Sequence, residues 1–368
     1  MSVELRWCAL SDVDAATRQA WTRLGQAAAE PDMFAMPQFV IPAARWLTPE
    51  RPPQVALFER AARGRRELVG IGCFTWERAN LFVPMAHLRA YRSEHSYRTG
   101  LLCAPGEEAA VAEALLRPPS SRSRWRAIAF HNIEDAGSFG ILRAQAQQQG
   151  GGWSELRRFA RPVLRLHPDQ SADAQLPRAL AKDLRRRQRR LREQGEVEVA
   201  IVEAADKINE AIEHHLRLEH LGWKREAGTS LLGDDRQAAF FREMARGFAG
   251  IGAAAFVELR VDGDVIASTS NFIVGGTFSA FKTGWDPRLA ACSPGKLAEW
   301  LLFERMQARW PALRKFDSNA AAGSYLADML PHRDTLLSGC LTVDRGAART
   351  MRWARPLRSL AYRIGREP

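Results

Sequence analysis

The sequence predicts an α+β fold built twice in tandem, each copy a mixed, mostly antiparallel sheet flanked by helices. Three observations predict it. A chain of 368 residues is longer than one ordinary domain. Each half holds a strand-rich stretch with hairpin signals. Each half then passes through a loop, a helix, a strand, a helix and closing strands in the same order, with no residue-level repeat.

Helical patterning opens the chain at 12–29 and 36–48, and "PERPPQ" (49–54) breaks it. "VALFERAARGRRELVGIGCFTWERANLFVPMAHL" has the pattern of a β-meander, with Arg63-Gly64 as a hairpin turn. A strand at 97–103 leads to a helix at 106–117, a loop at 117–124, a strand at 125–133 and a helix at 136–149. "WSELRRF" and "PVLRL" (153–166) close this half, and "HPDQSADAQLP" (167–177) has linker composition. The second half starts on the charged helix "RALAKDLRRRQRRLREQG" and a strand at 197–203, followed by helices at 206–221 and 234–249. "AAAFVELRVDGDVIASTSNFIVGGTFSAFKTGW" gives three strands joined at Asp262-Gly263-Asp264 and Gly275-Gly276. A helix at 294–309, a strand at 313–318, a short helix at 323–330 and a strand at 335–343 follow, and the tail is basic and helical. The expected domains are therefore 1–170 and 196–345, joined by a basic linker helix at 171–195 and followed by a tail at 346–368. Such an element order, with a helix between central strands, resembles the GCN5-related N-acetyltransferase (GNAT) fold.

Bulk chemistry narrows the function. At 46% hydrophobic and 26% charged residues the composition is globular. No window reaches the ~18 unbroken apolar residues of a membrane span, and the acids in "MSVELRWCALSDVD" do not suit a secretory signal. Five scattered cysteines, none at metal or redox spacing, point to reduced thiols in a cytoplasmic protein. A net charge of +11 fits an anionic partner, although arginines on a solvated surface give the same sum.

One helix start stands out. In "ACSPGKLAEWLL" (291–302), Ser293 has the chemistry of an N-cap and Pro294 of a first helical residue. Gly295 and Lys296 stand where a capping box would place an acid. The equivalent start in the first half, "CAPGEEAAVAEALL" (103–116), carries Glu107 and Glu108, which supply the negative charge that the helix dipole favours. A phosphate is therefore expected at the second start and not at the first. Without the P-loop spacing, Ser-Pro-Gly-Lys alone is a weak motif.

Three blocks add context: "LEHLGWKREAGTSLL" (218–232), "AFKTGWDPRLAACSPGKLAEWLL" (280–302) and "FDSNAAAGSYLADMLPHRDTLL" (316–337). In this order they resemble the CelD/BcsL-type acetyltransferases of bacterial exopolysaccharide and cellulose gene clusters, distant relatives of the FemABX peptidyltransferases. The family pattern is matched by Glu219, Gly222, Trp223, Lys224, Gly228 and Thr229, by Lys282, Asp286, Pro287, Ser293, Pro294 and Gly295, and by Asp317, Ser318 and Arg333. Two departures are Arg225, where the family has Gly, and "AAAGSYLAD" (320–328), which lacks an expected His.

The resemblance implies transfer of an acyl group from acetyl-CoA or another acyl-CoA to an amine or hydroxyl of a small-molecule or saccharide acceptor. Ser293, Gly295, Lys296 and the Leu297 amide are candidates for the pyrophosphate. The strand 281–285 would supply an oxyanion donor. Asp317 is the candidate base and Lys282 a second catalytic candidate. Glu219, Trp223, Lys224, Thr229, Ser318 and Arg333 are candidates for acceptor binding. Asp317 has a competing role as the cap of the short helix that follows, and Trp223 as core. His215 and Glu219 stand one turn apart, but no third ligand joins them, so no metal is expected. The run 180–193 puts cations all round a helix with Leu180, Leu184 and Leu191 on one side. FemABX-type relatives use aminoacyl-tRNA, which makes tRNA the alternative donor, but no interleaved aromatics or RNA-binding signature support nucleic acid. A binding protein without catalysis is the remaining alternative.

Overall fold

A computed structural model describes residues 2–62, 64–117, 125–167, 170–221 and 223–354, excepting the side chains of Ala62, Arg65 and Trp223. Its first elements are β1 (Val3–Ala9), α1 (Ala15–Ala27), α2 (Pro37–Trp46), β2 (Gln54–Ala62), β3 (Arg65–Glu77), β4 (His87–Ala90), β5 (Leu102–Cys103), α3 (Glu108–Leu116), β6 (Ala127–Glu134), α4 (Gly137–Gln148) and β7 (Gly152–Arg165). They continue with α5 (Arg178–Arg192), β8 (Val197–Val202), α6 (Ile208–His220), α7 (Trp223–Glu226), α8 (Asp235–Ala249), β9 (Ala254–Val261), β10 (Asp264–Val274), β11 (Thr277–Trp285), α9 (Pro294–Arg309), β12 (Lys315–Asp317), α10 (Tyr325–Met329), β13 (His332–Thr342) and α11 (Arg345–Trp353).

Two compact units result. The first comprises the chain up to Pro37, Thr48–Phe159 and everything from Thr335; the second comprises Gln38–Leu47 and Ala160–Asp334. The expected α+β architecture holds in both, but their membership crosses the boundaries drawn from sequence. Residues 163–165 pair with β12 and the chain from Ala160 joins the second unit, while 336–342 pair with β6 and join the first. Strand exchange of this kind leaves no trace in composition. Helix α2 joins the second unit because Phe39 meets Phe240 of α8 edge-on, with ring centroids 5.5 Å apart, and the Trp46 indole donates to Glu243 at 2.6 Å. The segment 167–177 is not a free linker, since Ala172 and Leu176 are buried in the core of the second unit.

In the first unit β1, β2, β3 and β4 are successive antiparallel neighbours, β4 and β6 are parallel, and β6 is antiparallel to 336–342. Strand β1 is not among the expected elements, although Val3, Leu5 and Trp7 repeat at period two. The expected strand 97–103 shrinks to a two-residue pairing with β3. Arg63, the loop 118–124, Gly222 and the tail beyond Ala354 lie outside the described residues.

The second unit repeats the scheme. Strands β8, β9, β10 and β11 are antiparallel, β11 and β12 are parallel, and β12 is antiparallel to the end of β7. Asp262-Gly263 and Gly275-Gly276 turn the two hairpins with φ of 49°, 87°, 51° and 85°, the left-handed pairs that two-residue hairpins need. Among the described residues, one α-helix lies between the two strands of the parallel pair in each unit: α3 in the first, after β5, and α9 in the second.

Candidate active site

Strand β11 organises the site. Its pairing with β10 slips between Ser270 and Asn271, so that Ser270 faces Lys282 while Asn271 faces Ala280. Phe281 is the extra residue of a bulge. Ahead of it Phe278 and Ala280 pack in the core shared with α9. Phe281 itself stacks 6.0 Å from Phe241 of α8. The bulge places Lys282 toward α6 and Thr283 toward α9, one strand serving two polar clusters.

On the α9 side, the helix start is open in an unexpected way. Ser293 adopts a left-handed conformation (φ 49°, ψ 60°) and its side chain does not cap the helix. Its hydroxyl instead accepts from Arg187 Nη1 at 2.9 Å, and the same guanidinium nitrogen donates to the Ala291 carbonyl at 3.0 Å. Asp183 holds Arg187 Nε at 2.6 Å. The helix of cations expected to be a linker thus brings one arginine to the α9 start. The Leu297 amide bonds the Ser293 carbonyl at 3.1 Å, so it is committed inside the helix and unavailable to a phosphate. The Gly295 and Lys296 amides, one turn too early for an intrahelical acceptor, remain for a ligand. Gly295 serves packing as well: a Cβ there would meet the Trp285 ring at 3.1 Å and Thr283 Cγ2 at 3.3 Å. The Lys296 ammonium lies 5.5 Å from the centroid of the Tyr325 ring, a cation–π contact.

Beneath this start lies a residue that sequence reasoning missed. Glu299 is fully buried, accepts from Thr283 Oγ1 at 3.3 Å, and has no hydrogen-bond partner for Oε2. Burial pushes its carboxyl up to about 7, against the pull of the Thr283 hydrogen bond. Burial and the nearby Glu299 also raise the Tyr325 hydroxyl. The signal was present in "KLAEWLL", where a single acid sits inside an apolar run.

On the α6 side, Glu219 is 1% exposed. Its Oε1 faces the Lys224 ammonium at 3.1 Å and the Lys282 ammonium at 3.5 Å, and its Oε2 accepts from the Leu231 amide at 2.8 Å. Lys224 also donates to the Thr283 carbonyl at 2.9 Å. Gly284 lets the strand touch α6: a Cβ there would lie 2.3 Å from the Glu219 nitrogen. Burial lowers Lys224 below its usual value; Glu219 opposes this and the Lys282 cation reinforces it. Burial, with the neighbouring Lys224 and Lys282 side chains, holds His215 well below the usual imidazole range. Both its ring nitrogens are engaged, with Ser268 Oγ at 3.1 Å and Ser270 Oγ at 3.2 Å. Among the described residues no group of three His, Cys, Asp or Glu side chains could hold a metal ion.

Other sequence candidates have structural employment. The Asp317 carboxylate accepts from the Asn319 amide at 3.0 Å and lies 3.7 Å from the guanidinium of Arg161, itself 2% exposed. A base needs a free lone pair and a path to substrate, and this carboxylate is buried against a cation. Ser318 donates to the Pro162 carbonyl at 2.6 Å. Arg333 donates to the carbonyls of Ala327, Leu330 and His332, closing the end of α10. Thr229 is exposed, and its amide bonds the Lys224 carbonyl at 2.9 Å at the end of α7. Trp223 opens α7, but its side chain lies outside the described residues. Of the predicted set, the structure gathers Glu219, Lys224 and Lys282 into one cluster and Ser293, Gly295 and Lys296 at one helix start.

Residues 178–325 match the family model described as an acetyltransferase (GNAT) domain. They form an acyltransferase domain. Its helix start and both polar clusters around β11 fall inside the matched segment. Solved structures similar to the whole acyltransferase include FemX, at 9% identity and a TM-score of 0.56, covering 96% of this chain and 99% of that one. A conserved protein of unknown function from Bacteroides thetaiotaomicron VPI-5482 is similar at 11% identity and a TM-score of 0.54, covering 89% and 98%. The C-terminal domain (DUF2156) of a putative lysylphosphatidylglycerol synthetase from Agrobacterium fabrum is similar at 11% identity and a TM-score of 0.51, covering 93% and 96%. At these identities the likeness is one of fold. No curated protein sequence matches the chain. Among the described residues no helix is long and apolar enough to cross a membrane.

Proposed function

We propose that this acyltransferase moves the acyl group of acetyl-CoA or another acyl-CoA onto an amine or hydroxyl of a small-molecule or saccharide acceptor, by direct attack. The observation that carries this reading is the α9 start. It has no side-chain cap, two first-turn amides at Gly295 and Lys296, and Arg187 drawn to it from α5. The CoA pyrophosphate has the charge such a start favours. In the first unit the Glu107 carboxylate, paired with Arg60, occupies the corresponding position, so that unit is assigned a structural or acceptor-shaping part. The resemblance to CelD/BcsL-type proteins supports a place in exopolysaccharide synthesis in the cytoplasm.

A thermal-shift titration with acetyl-CoA and with free CoA tests this reading. Both ligands are expected to stabilise the protein, and no stabilisation at millimolar ligand would overturn it. An aminoacyl-tRNA donor is the second reading, favoured by the exposed arginines Arg185, Arg186, Arg189, Arg190 and Arg192 of α5. Retention of aminoacyl-tRNA on a filter, with no response to CoA, would select it.

A further inference from the structure

We propose that Lys224 is the proton acceptor of acyl transfer, that the Lys282 amine beside it disfavours its protonated form, and that Glu219 holds both amines in place. The proposal rests on the acyl-CoA reading above.

One carboxylate, buried in full, faces two lysine amines through a single oxygen, at 3.1 and 3.5 Å. With both amines protonated the cluster carries one uncompensated positive charge. The surroundings do not remove it. His215 is uncharged and bonded to two serine hydroxyls. Glu258 of β9 is committed to His214 and Arg260. Glu299 lies across β11, on its α9 side. Arg225 and Glu226 of α7 are exposed to water. Like charges beside one anion disfavour each other, and loss of one proton relieves them.

Exposure and bonding select Lys224 for that loss. Its side chain is 20% exposed, against 11% for Lys282 and none for Glu219, so it is the outermost of the three. A neutral amine has two N–H donors and one lone pair. Lys224 makes one hydrogen bond, to Thr283 O at 2.9 Å, while Glu219 Oε1 at 3.1 Å is an ion-pair contact without hydrogen-bond geometry, so neither commits the lone pair of the neutral amine. Burial depresses the basicity of Lys224; Glu219 opposes this and the Lys282 amine adds to it, and a lowered lysine is the kind that can act as a base.

The step balances. The acceptor nitrogen or oxygen attacks the thioester carbonyl, the new bond to carbon forms and the carbon–sulfur bond breaks. The proton on the attacking atom passes to the Lys224 amine, and the leaving thiolate takes a proton to become the free thiol of CoA. Lys224 then returns its proton to solvent.

Trace labelling with acetic anhydride across a pH series, read by peptide mass spectrometry, tests the assignment without an acceptor or a cofactor. The Lys224 midpoint is expected below that of an ordinary lysine. Lys282→Met should raise it and Glu219→Gln should lower it. A midpoint at the ordinary value, or one unmoved by Lys282→Met, overturns the proposal. For catalysis, CoA release from acetyl-CoA is followed with glucosamine and with water as probe acceptors. Lys224→Met should lose about 10²-fold or more in kcat with little change in KM for acetyl-CoA, and Lys224→Arg should not restore it. Release by Lys224→Met within threefold of wild type would also overturn it. Stabilisation of that variant by acetyl-CoA reports that it is folded. If wild type ignores acetyl-CoA, the acyl-CoA reading fails; if wild type responds but Lys224 titrates normally, only the base assignment fails.

Discussion

Arg187 Nη1 lies 2.9 Å from Ser293 Oγ, which ties α5 to the residue just before α9. Asp183 at 2.6 Å offsets part of the guanidinium's charge, but not its position beside an uncapped helix start. Arg187→Ala should weaken acetyl-CoA binding about tenfold or more, the loss of one hydrogen bond to a charged group. The unliganded melting temperature should move little, because Arg187 is partly exposed. Thermal-shift titrations of the two proteins provide the check; equal affinities would make Arg187 a strap without a part in binding.

The two helix starts predict opposite responses to charge. Lys296→Glu puts a carboxylate at the α9 start and should abolish stabilisation by CoA. Glu107→Lys should leave that stabilisation intact. It should instead lower the melting temperature, because Arg60 loses Glu107 and gains a like charge. Parallel melting curves with and without CoA separate the two effects. A Lys296→Glu variant that still responds to CoA would remove the α9 start from the cofactor site.

Local signals made much of the second unit legible. The Asp262-Gly263 and Gly275-Gly276 turns, the helix start at Pro294 and the cluster residues Glu219, Lys224 and Lys282 all stand out in the sequence. Long-range placement did not. Nothing near residues 160–165 or 336–342 tells which sheet each joins, because neither run carries a local pattern that fits one unit alone. The contact of Arg187 with Ser293 crosses 106 positions and appears in the sequence only as one arginine among many. Ser293 had the right chemistry for a cap, yet its left-handed backbone turns the hydroxyl away from the helix. Gly295 was legible as a helix-start residue, but its packing was not: its missing side chain makes room for Trp285 and Thr283.

Asp317 separates structure from catalysis. Its neighbour Arg161 is buried, so Asp317→Asn removes the charge facing it and should destabilise the fold by about 3 kcal/mol or more. Urea denaturation measures the loss. At a temperature where the variant stays folded, its kcat should remain within a few fold of wild type. A normal fold with a loss near 10³-fold in kcat would return Asp317 to the role of base.

Glu299 makes a prediction of definite sign. Its carboxyl is raised from 4.5 to about 7 in the folded protein. Below about pH 4.5 both folded and unfolded chains hold the proton, and the residue contributes nothing to pH dependence. Between that point and about 7 the unfolded chain releases the proton while the folded chain keeps it, so stability falls as pH rises, by on the order of 3 kcal/mol in all. Above about 7 the loss is complete. Glu299→Gln keeps the shape and an oxygen for Thr283 Oγ1 but cannot ionise. The variant should match wild type near pH 4 and exceed its stability by an amount of that order near pH 8. Urea midpoints at the two pH values give the comparison, in which the other carboxylates cancel. Parallel curves for the two proteins would show that Glu299 ionises as readily in the fold as outside it, with water or a ligand group reaching the Oε2 that has no partner in the structure.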